Sequence, residues 1–83
     1  MTVDADEIRA LVGKVLGRIA PEAELDTLES DVEFQEQLDL DSMDFLNFVT
    51  GLHEATGLEI PERDYAQLAS LDGCIRYLGE HTT

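Results

Sequence analysis

The stretch Leu38-Asp39-Leu40-Asp41-Ser42-Met43-Asp44-Phe45-Leu46, continuing as NFVTGLHEAT from Asn47 to Thr56, carries most of the information in this chain. From Ser42 to about Thr56 it reads as a helix. At ~100° per residue, Phe45, Phe48, Val49, Leu52 and Ala55 gather on one side, with Leu46 at the edge of the cluster. Met43 does not belong to that side: it projects with Asn47, Thr50 and Glu54 on the opposite, polar one. Gly57 suits a C-terminal stop. Ser42 therefore stands where the preceding segment enters a helix. A hydroxyl there is accessible, and a phosphodiester built on it would sit beside unpaired backbone N–H groups and the positive end of the helix dipole. The same position is also where Ser or Asp serves as an ordinary N-cap, and the Asp-Ser pair taken alone favours that cap.

Upstream, residues 4 to about 20 have the spacing of a second amphipathic helix. Ile8, Leu11, Val12, Val15, Leu16 and Ile19 form one continuous face, and Asp4, Asp6 and Glu7 suit the first turn. Pro21 stops this helix near Ile19, while Gly13 and Gly17 each weaken it by about 1 kcal/mol relative to Ala. Residues 21–41 have no clean period. Leu25, Leu28, Val32, Phe34, Leu38 and Leu40 are scattered among polar residues, which predicts a long connection pinned to the core with a helical turn in it.

Downstream, Ile60-Pro61 opens a short helical piece over about Glu62 to Leu68, with Pro61 at its first position and Tyr65 and Leu68 as core contacts. Ser70 can cap a last helix in which Leu71, Cys74, Ile75 and Leu78 follow the helical spacing, and the tail from His81 to Thr83 is expected to fray. No alternating strand pattern competes. The expected fold is all-α: a small four-helix bundle of three main helices plus one short helix, with a long loop between the first two main helices, forming a single domain over residues 1–83.

Composition limits the function classes. The chain has 83 residues, 43% of them hydrophobic, enough for an economical core. Nineteen acidic against five basic residues give a formal net charge of −14. That argues against nucleic acid, whose phosphates need Lys and Arg, and against anionic membranes. It favours partners with basic surfaces, unless the acidity serves solubility alone. No window approaches the ~18 uninterrupted apolar residues of a membrane span, and the acidic start is unlike a secretory or organelle presequence, so a cytoplasmic location is expected. The single cysteine, Cys74, cannot form an internal disulfide or fill a zinc site, and its apolar helix face favours a buried, inert residue.

Beyond single residues, the chain resembles the acyl carrier protein family, including the peptidyl carriers. The resemblance runs from about residue 5 to 80. It is carried by Phe34 and Leu38, then Asp41-Ser42-Met43-Asp44, Leu46, Val49 and Leu52, then Glu59-Ile60-Pro61 and the helix from Leu71 to Leu78. It implies phosphopantetheine as cofactor, transferred from coenzyme A to Ser42 by a phosphopantetheinyl transferase, with Asp41 as the flanking motif residue. The thiol of that arm would carry an acyl group as a thioester. The chain would be a carrier and not an enzyme, with no catalytic residue and no metal. Its expected partners are acyl-loading and acyl-processing enzymes with basic docking surfaces, which a monomer would meet through the helix after Ser42. Met43, Asp44, Asn47, Thr50 and Glu54 are the docking candidates; Met43, apolar on a polar face, fits a greasy spot ringed by Arg or Lys. In many relatives the acyl chain folds back between the helices, and Phe45, Leu46, Val49, Leu52, Ile60, Ala66 and Leu71 would line that space, each also explicable as plain core. Asp39 replaces the usual Gly two residues before the Asp, and Asn47 and His53 replace residues that are often acidic. These departures imply a specialised carrier dedicated to one pathway.

Of three rival readings, the sequence argues against two. A serine hydrolase would need a base beside Ser42, but His53 lies roughly 16 Å along the same helix and there is no Gly-x-Ser-x-Gly elbow. A calcium loop starting at Asp39 would need an oxygen ligand, Gly and Glu where the chain has Met43, Asp44 and Thr50. The third rival, an unmodified docking module of the same fold, is compatible with the sequence.

Overall fold

A computed structural model of the protein describes residues 4–22 and 27–81. The order of elements is α1 (Ala5–Ile19), α2 (Phe34–Gln37), α3 (Ser42–Thr56), a 3-10 helix (Glu62–Leu68) and α4 (Leu71–His81). This is the expected all-α bundle. Three long helices and the seven-residue 3-10 helix enclose the core, and α2 is the helical turn inside the long connection.

Helix α1 begins where Asp4 caps it, its carboxylate accepting the Glu7 N–H at 2.8 Å. Ile8, Val12, Val15 and Leu16 are buried, with Leu11 and Ile19 half-buried at the flanks of the stripe. The helix ends at Ala20, immediately before Pro21. Helix α1 packs against both α3 and α4. It comes close to α3 at Gly51, where a Cβ would stand 2.6 Å from Val15 Cγ1.

The long connection is pinned, as its scattered apolar residues imply. Phe34 is fully buried and meets Phe48 edge-on, with ring centroids 5.1 Å apart and planes at 68°. Its N–H donates to Ala69 O at 2.7 Å, and Asp72 N–H donates to Ser30 O at 2.9 Å, tying the connection to the start of α4. The Gln37 amide clamps the loop from within. Its Oε1 accepts the Glu29 N–H, and its Nε2 donates to Glu29 O and Val32 O, all at 2.9 Å. Leu40 is buried; Leu25 lies outside the described residues.

Downstream, α3 ends at Gly57, which takes the left-handed conformation at φ 71°. The Ser70 hydroxyl accepts the Gly73 N–H at 3.1 Å, capping α4 as expected. Several expectations need correction. Ala55 is exposed, because it sits on the rim of a shallow groove between α1 and α3 where a methyl side chain is too short to be covered. Pro61 is the N-cap of the 3-10 helix and not its first helical residue. Tyr77, absent from the expected core, is 1% exposed, and its hydroxyl donates to Asp64 Oδ2 at 2.8 Å across to the 3-10 helix. His81 is still helical, its ring stacked on Tyr77 at 4.1 Å; Thr82 and Thr83 lie outside the described residues.

Candidate functional site at the start of helix α3

The segment entering α3 is shaped by three consecutive demands. Leu38 N–H donates to Phe34 O and Leu40 N–H to Gln35 O, so the chain leaves α2 still hydrogen-bonded to it. Asp39 then turns at φ 55°, a left-handed conformation in which glycine is unstrained and Asp is among the better-tolerated residues. Leu40 follows into the core. The result aims Asp41 and Ser42 outward at the helix mouth, both exposed.

The cap at that mouth is Asp41. Its Oδ1 accepts the Asp44 N–H at 2.8 Å, and Asp44 Oδ2 accepts the Asp41 N–H at 3.4 Å, a reciprocal capping box. Ser42 is therefore the first residue of the helix and not its cap. Its hydroxyl has no hydrogen-bond partner among the described residues, which separates the two uses open to it in the sequence. An exposed, unengaged hydroxyl beside the first-turn N–H groups fits a phosphodiester: the oxygen is reachable and the helix end favours the negative charge.

Around it, Met43 is 66% exposed and Leu46 44% exposed, one turn apart on the same strip. Asn47, Thr50 and Glu54 are exposed along α3, and Asp44 is half-buried by its capping contact. Among the interior candidates, Val49, Leu52 and Leu71 are buried in the core, and Phe45 and Ile60 pack half-buried against it. Leu46 and Ala66 do not join them. Leu46 lies beyond the covered arc of α3, and Ala66 is exposed on the 3-10 helix beside a surface recess with Gln67 and Arg76.

The chain's other reactive groups lie elsewhere. His53 is exposed near the far end of α3, its Nδ1 2.7 Å from Leu58 O, so that ring nitrogen is occupied by a backbone carbonyl. Cys74 is fully buried, and burial pushes its thiol up to about 12, so it stays protonated and inert. What reading the residues missed was the division of labour between Asp41 and Ser42. The signal was present in the Asp41-x-x-Asp44 spacing, a capping-box pattern with Asp in place of Glu.

Comparison with known proteins identifies the family. Residues 6–78 match the protein family described as the phosphopantetheine attachment site. The acyl carrier protein of Lactobacillus johnsonii is 36% identical over 56 residues, covering 68% of this chain and 70% of that protein. That of Chlamydia trachomatis is 33% identical over 76 residues, covering 92% of each. The solved structure of the acyl carrier protein from Enterococcus faecalis superposes with a TM-score of 0.78 at 20% identity, covering 95% of this chain and 99% of that one, which establishes the shared fold. From the family match and the two relatives, this chain belongs to the acyl carrier protein family, whose members are phosphopantetheine-bearing carriers and not enzymes.

Proposed function

We propose that Ser42 is the attachment residue and that the protein carries acyl intermediates as thioesters on the phosphopantetheine arm it holds. One observation bears most of the weight: Asp41 takes over the capping of α3 and leaves the Ser42 hydroxyl exposed and unengaged. In the reaction with coenzyme A, Ser42 Oγ bonds to the phosphorus bearing the pantetheine. The bond from that phosphorus to the bridging pyrophosphate oxygen breaks, adenosine 3′,5′-bisphosphate departs, and the hydroxyl proton passes to a base of the phosphopantetheinyl transferase. The thiol at the end of the arm then supplies the thioester chemistry.

The rest of the chain presents that arm. Met43 with Leu46 offers an apolar contact, and Asp44, Asn47, Thr50 and Glu54 surround it with acidic and polar groups along one helix. A partner enzyme with an apolar spot ringed by Arg or Lys complements this strip, and the charge of −14 speeds its encounter with such a surface. The reading includes a monomeric, cytoplasmic carrier whose 83 residues act as one domain. Asp39, Asn47 and His53, where relatives of the fatty-acid-synthesis type often have Gly and acidic residues, favour a carrier dedicated to its own acyl-processing pathway. No helix among the described residues is long and apolar enough to cross a membrane.

Intact mass after incubation with coenzyme A and a broad-specificity transferase tests the proposal. Addition of one phosphopantetheine to the wild type, absent in Ser42→Ala, is expected. An unmodified wild type with every transferase tried would instead favour a bare docking module of the same fold.

A further inference from the structure

A groove of about 320 Å³ lies between α1 and α3. Leu11 and Val15 of α1 and Gly51 and Ala55 of α3 line it, with Lys14 and Arg18 on its α1 side and Glu54 on its α3 side. We infer that this groove is a second part of the docking surface for the phosphopantetheinyl transferase, which sets acidic side chains against Lys14 and Arg18 while its basic residues meet Asp44 and Glu54. The inference rests on the reading of Ser42 as the attachment residue and of α3 as the docking helix.

Charge and exposure single out the two cations. From Ile8 to Pro21 the chain has no acidic residue, although 19 of its 83 residues are acidic, and three of its five basic residues lie in that stretch. Arg9 is paired with Asp6 at 3.2 Å. Lys14 and Arg18 are one turn apart and both exposed, and their side chains make no ion pair or hydrogen bond with any described residue. Arg18 stands in the last turn of α1, where it also complements the helix dipole. Lys14 lies in the helix interior, where the dipole gives a cation no role.

Reach puts the groove under the same partner. A specific interface covers roughly 800 Å² of each protein, a patch about 30 Å across. Helix α3, with 15 residues, is about 22 Å long, so an enzyme seated along it also covers what flanks it. Glu54 belongs both to the exposed strip of α3 and to the groove, which makes the two surfaces continuous. Gly51 and Ala55 keep the α3 wall low. A uniformly basic enzyme surface would meet two unpaired cations there. Carboxylates opposite them turn that repulsion into charge-assisted hydrogen bonds, which fix the register of docking and do not speed encounter.

The test follows modification of the apo protein by the transferase of its own cell, with intact mass as readout and kcat and KM measured separately. Lys14→Glu and Arg18→Glu each make an acidic chain more acidic by two charges. Long-range steering toward a basic enzyme would by itself leave KM unchanged or lower it. The inferred contact requires the opposite: KM raised about tenfold by each reversal, with kcat nearly unchanged. Arg76→Glu adds the same charge on α4, in a recess with Asp31, Gln67 and Asp72, and is expected not to raise KM. Thermal melts by circular dichroism identify a reversal that does not fold; Lys14→Gln and Arg18→Gln then take its place, with a smaller rise in KM expected. An unchanged or lowered KM in the groove variants, or an equal rise in Arg76→Glu, would overturn the inference and leave the carrier reading intact. A wild type that never gains the adduct would overturn both.

Discussion

Replacing glycine by alanine has opposite consequences at two helical positions of this protein. Gly13 lies in the interior of α1, and a Cβ added there meets nothing within 4 Å. Gly13→Ala therefore keeps only the propensity gain, about 1 kcal/mol in favour of the fold. Gly73 lies in the first turn of α4, and its added Cβ would stand 2.1 Å from the backbone carbonyl oxygen of Gln67 and 3.3 Å from Ser70 Oγ. Restoring ordinary contact needs a shift of roughly 1 Å between α4 and the 3-10 helix, and the obstacle is main chain, which cannot swing aside. That shift works against the buried Leu68, the Tyr77–Asp64 hydrogen bond and the Ser70 cap together. Overpacking of this kind costs about 1–3 kcal/mol, and a backbone obstacle belongs at the upper end of that range. Set against a propensity gain of at most about 1 kcal/mol, the net loss is about 1–2 kcal/mol. For a domain of this size each kcal/mol moves Tm by roughly 4–8 °C. Thermal melts of the apo protein by circular dichroism should show Gly13→Ala above and Gly73→Ala below the wild type, with urea midpoints in the same order. A Gly73→Ala variant as stable as the wild type would refute the close approach of α4 to Gln67.

Other outcomes follow from the site and its surroundings. Asp41→Ala removes the side-chain acceptor of the Asp44 N–H, leaving only the backbone half of the capping box, and should lower urea stability by about 1 kcal/mol, while Ser42→Ala, losing no hydrogen bond, should stay within about 0.5 kcal/mol of wild type; the reverse ranking would mean that Ser42 is the true cap. Asp39→Gly should be at least as stable as the wild type, whereas Asp39→Val should lose about 1–2 kcal/mol at a left-handed position, and equal denaturation midpoints would contradict the turn. Cys74 and Tyr77 are both pushed up to about 12, from ordinary values of 9.0 and 10.0, by burial in each case and for Tyr77 also by its hydrogen bond to Asp64 and that carboxylate's charge. Raised folded-state values mean that the native state holds these protons longer than the unfolded chain; their contribution is complete below about pH 8.5 and lost as pH climbs towards 12, so a urea midpoint constant from pH 8 to 11 would contradict it. At pH 8, iodoacetamide should label the arm's thiol of the native holo protein and spare Cys74 until denaturant is added, counted by intact mass. Reversing Asp44 and Glu54 to Lys should slow modification by the transferase at low salt, and unchanged kinetics would remove the electrostatic part of docking.

Much of the fold was legible because it rests on local rules. The face from Ile8 to Ile19 repeats long enough to define a helix, Pro21 and Gly57 mark ends by backbone chemistry, and Ser70 announces a cap. What stayed hidden depended on partners distant in sequence. A helical angle places Ala55 and Leu46 near the apolar side of α3, but whether a neighbour covers them depends on where α1 and the 3-10 helix pack. Tyr77 lies at the margin of the α4 face and is buried because Asp64 takes its hydroxyl. The site was legible as a motif, while its geometry was not. Ser42 and Asp41 are equally good caps by residue type, and the choice is made by which carboxylate reaches the Asp44 N–H.

The two main-chain bonds from Phe34 to Ala69 and from Asp72 to Ser30 join segments that are far apart along the chain. Because both cross from the long connection to the threshold of α4, the segment around Ser30 and Phe34 cannot peel away without unseating that helix. The amides of Phe34 and Asp72 are therefore expected to exchange with solvent only when α4 lifts off, so this part of the connection opens together with the helix it touches.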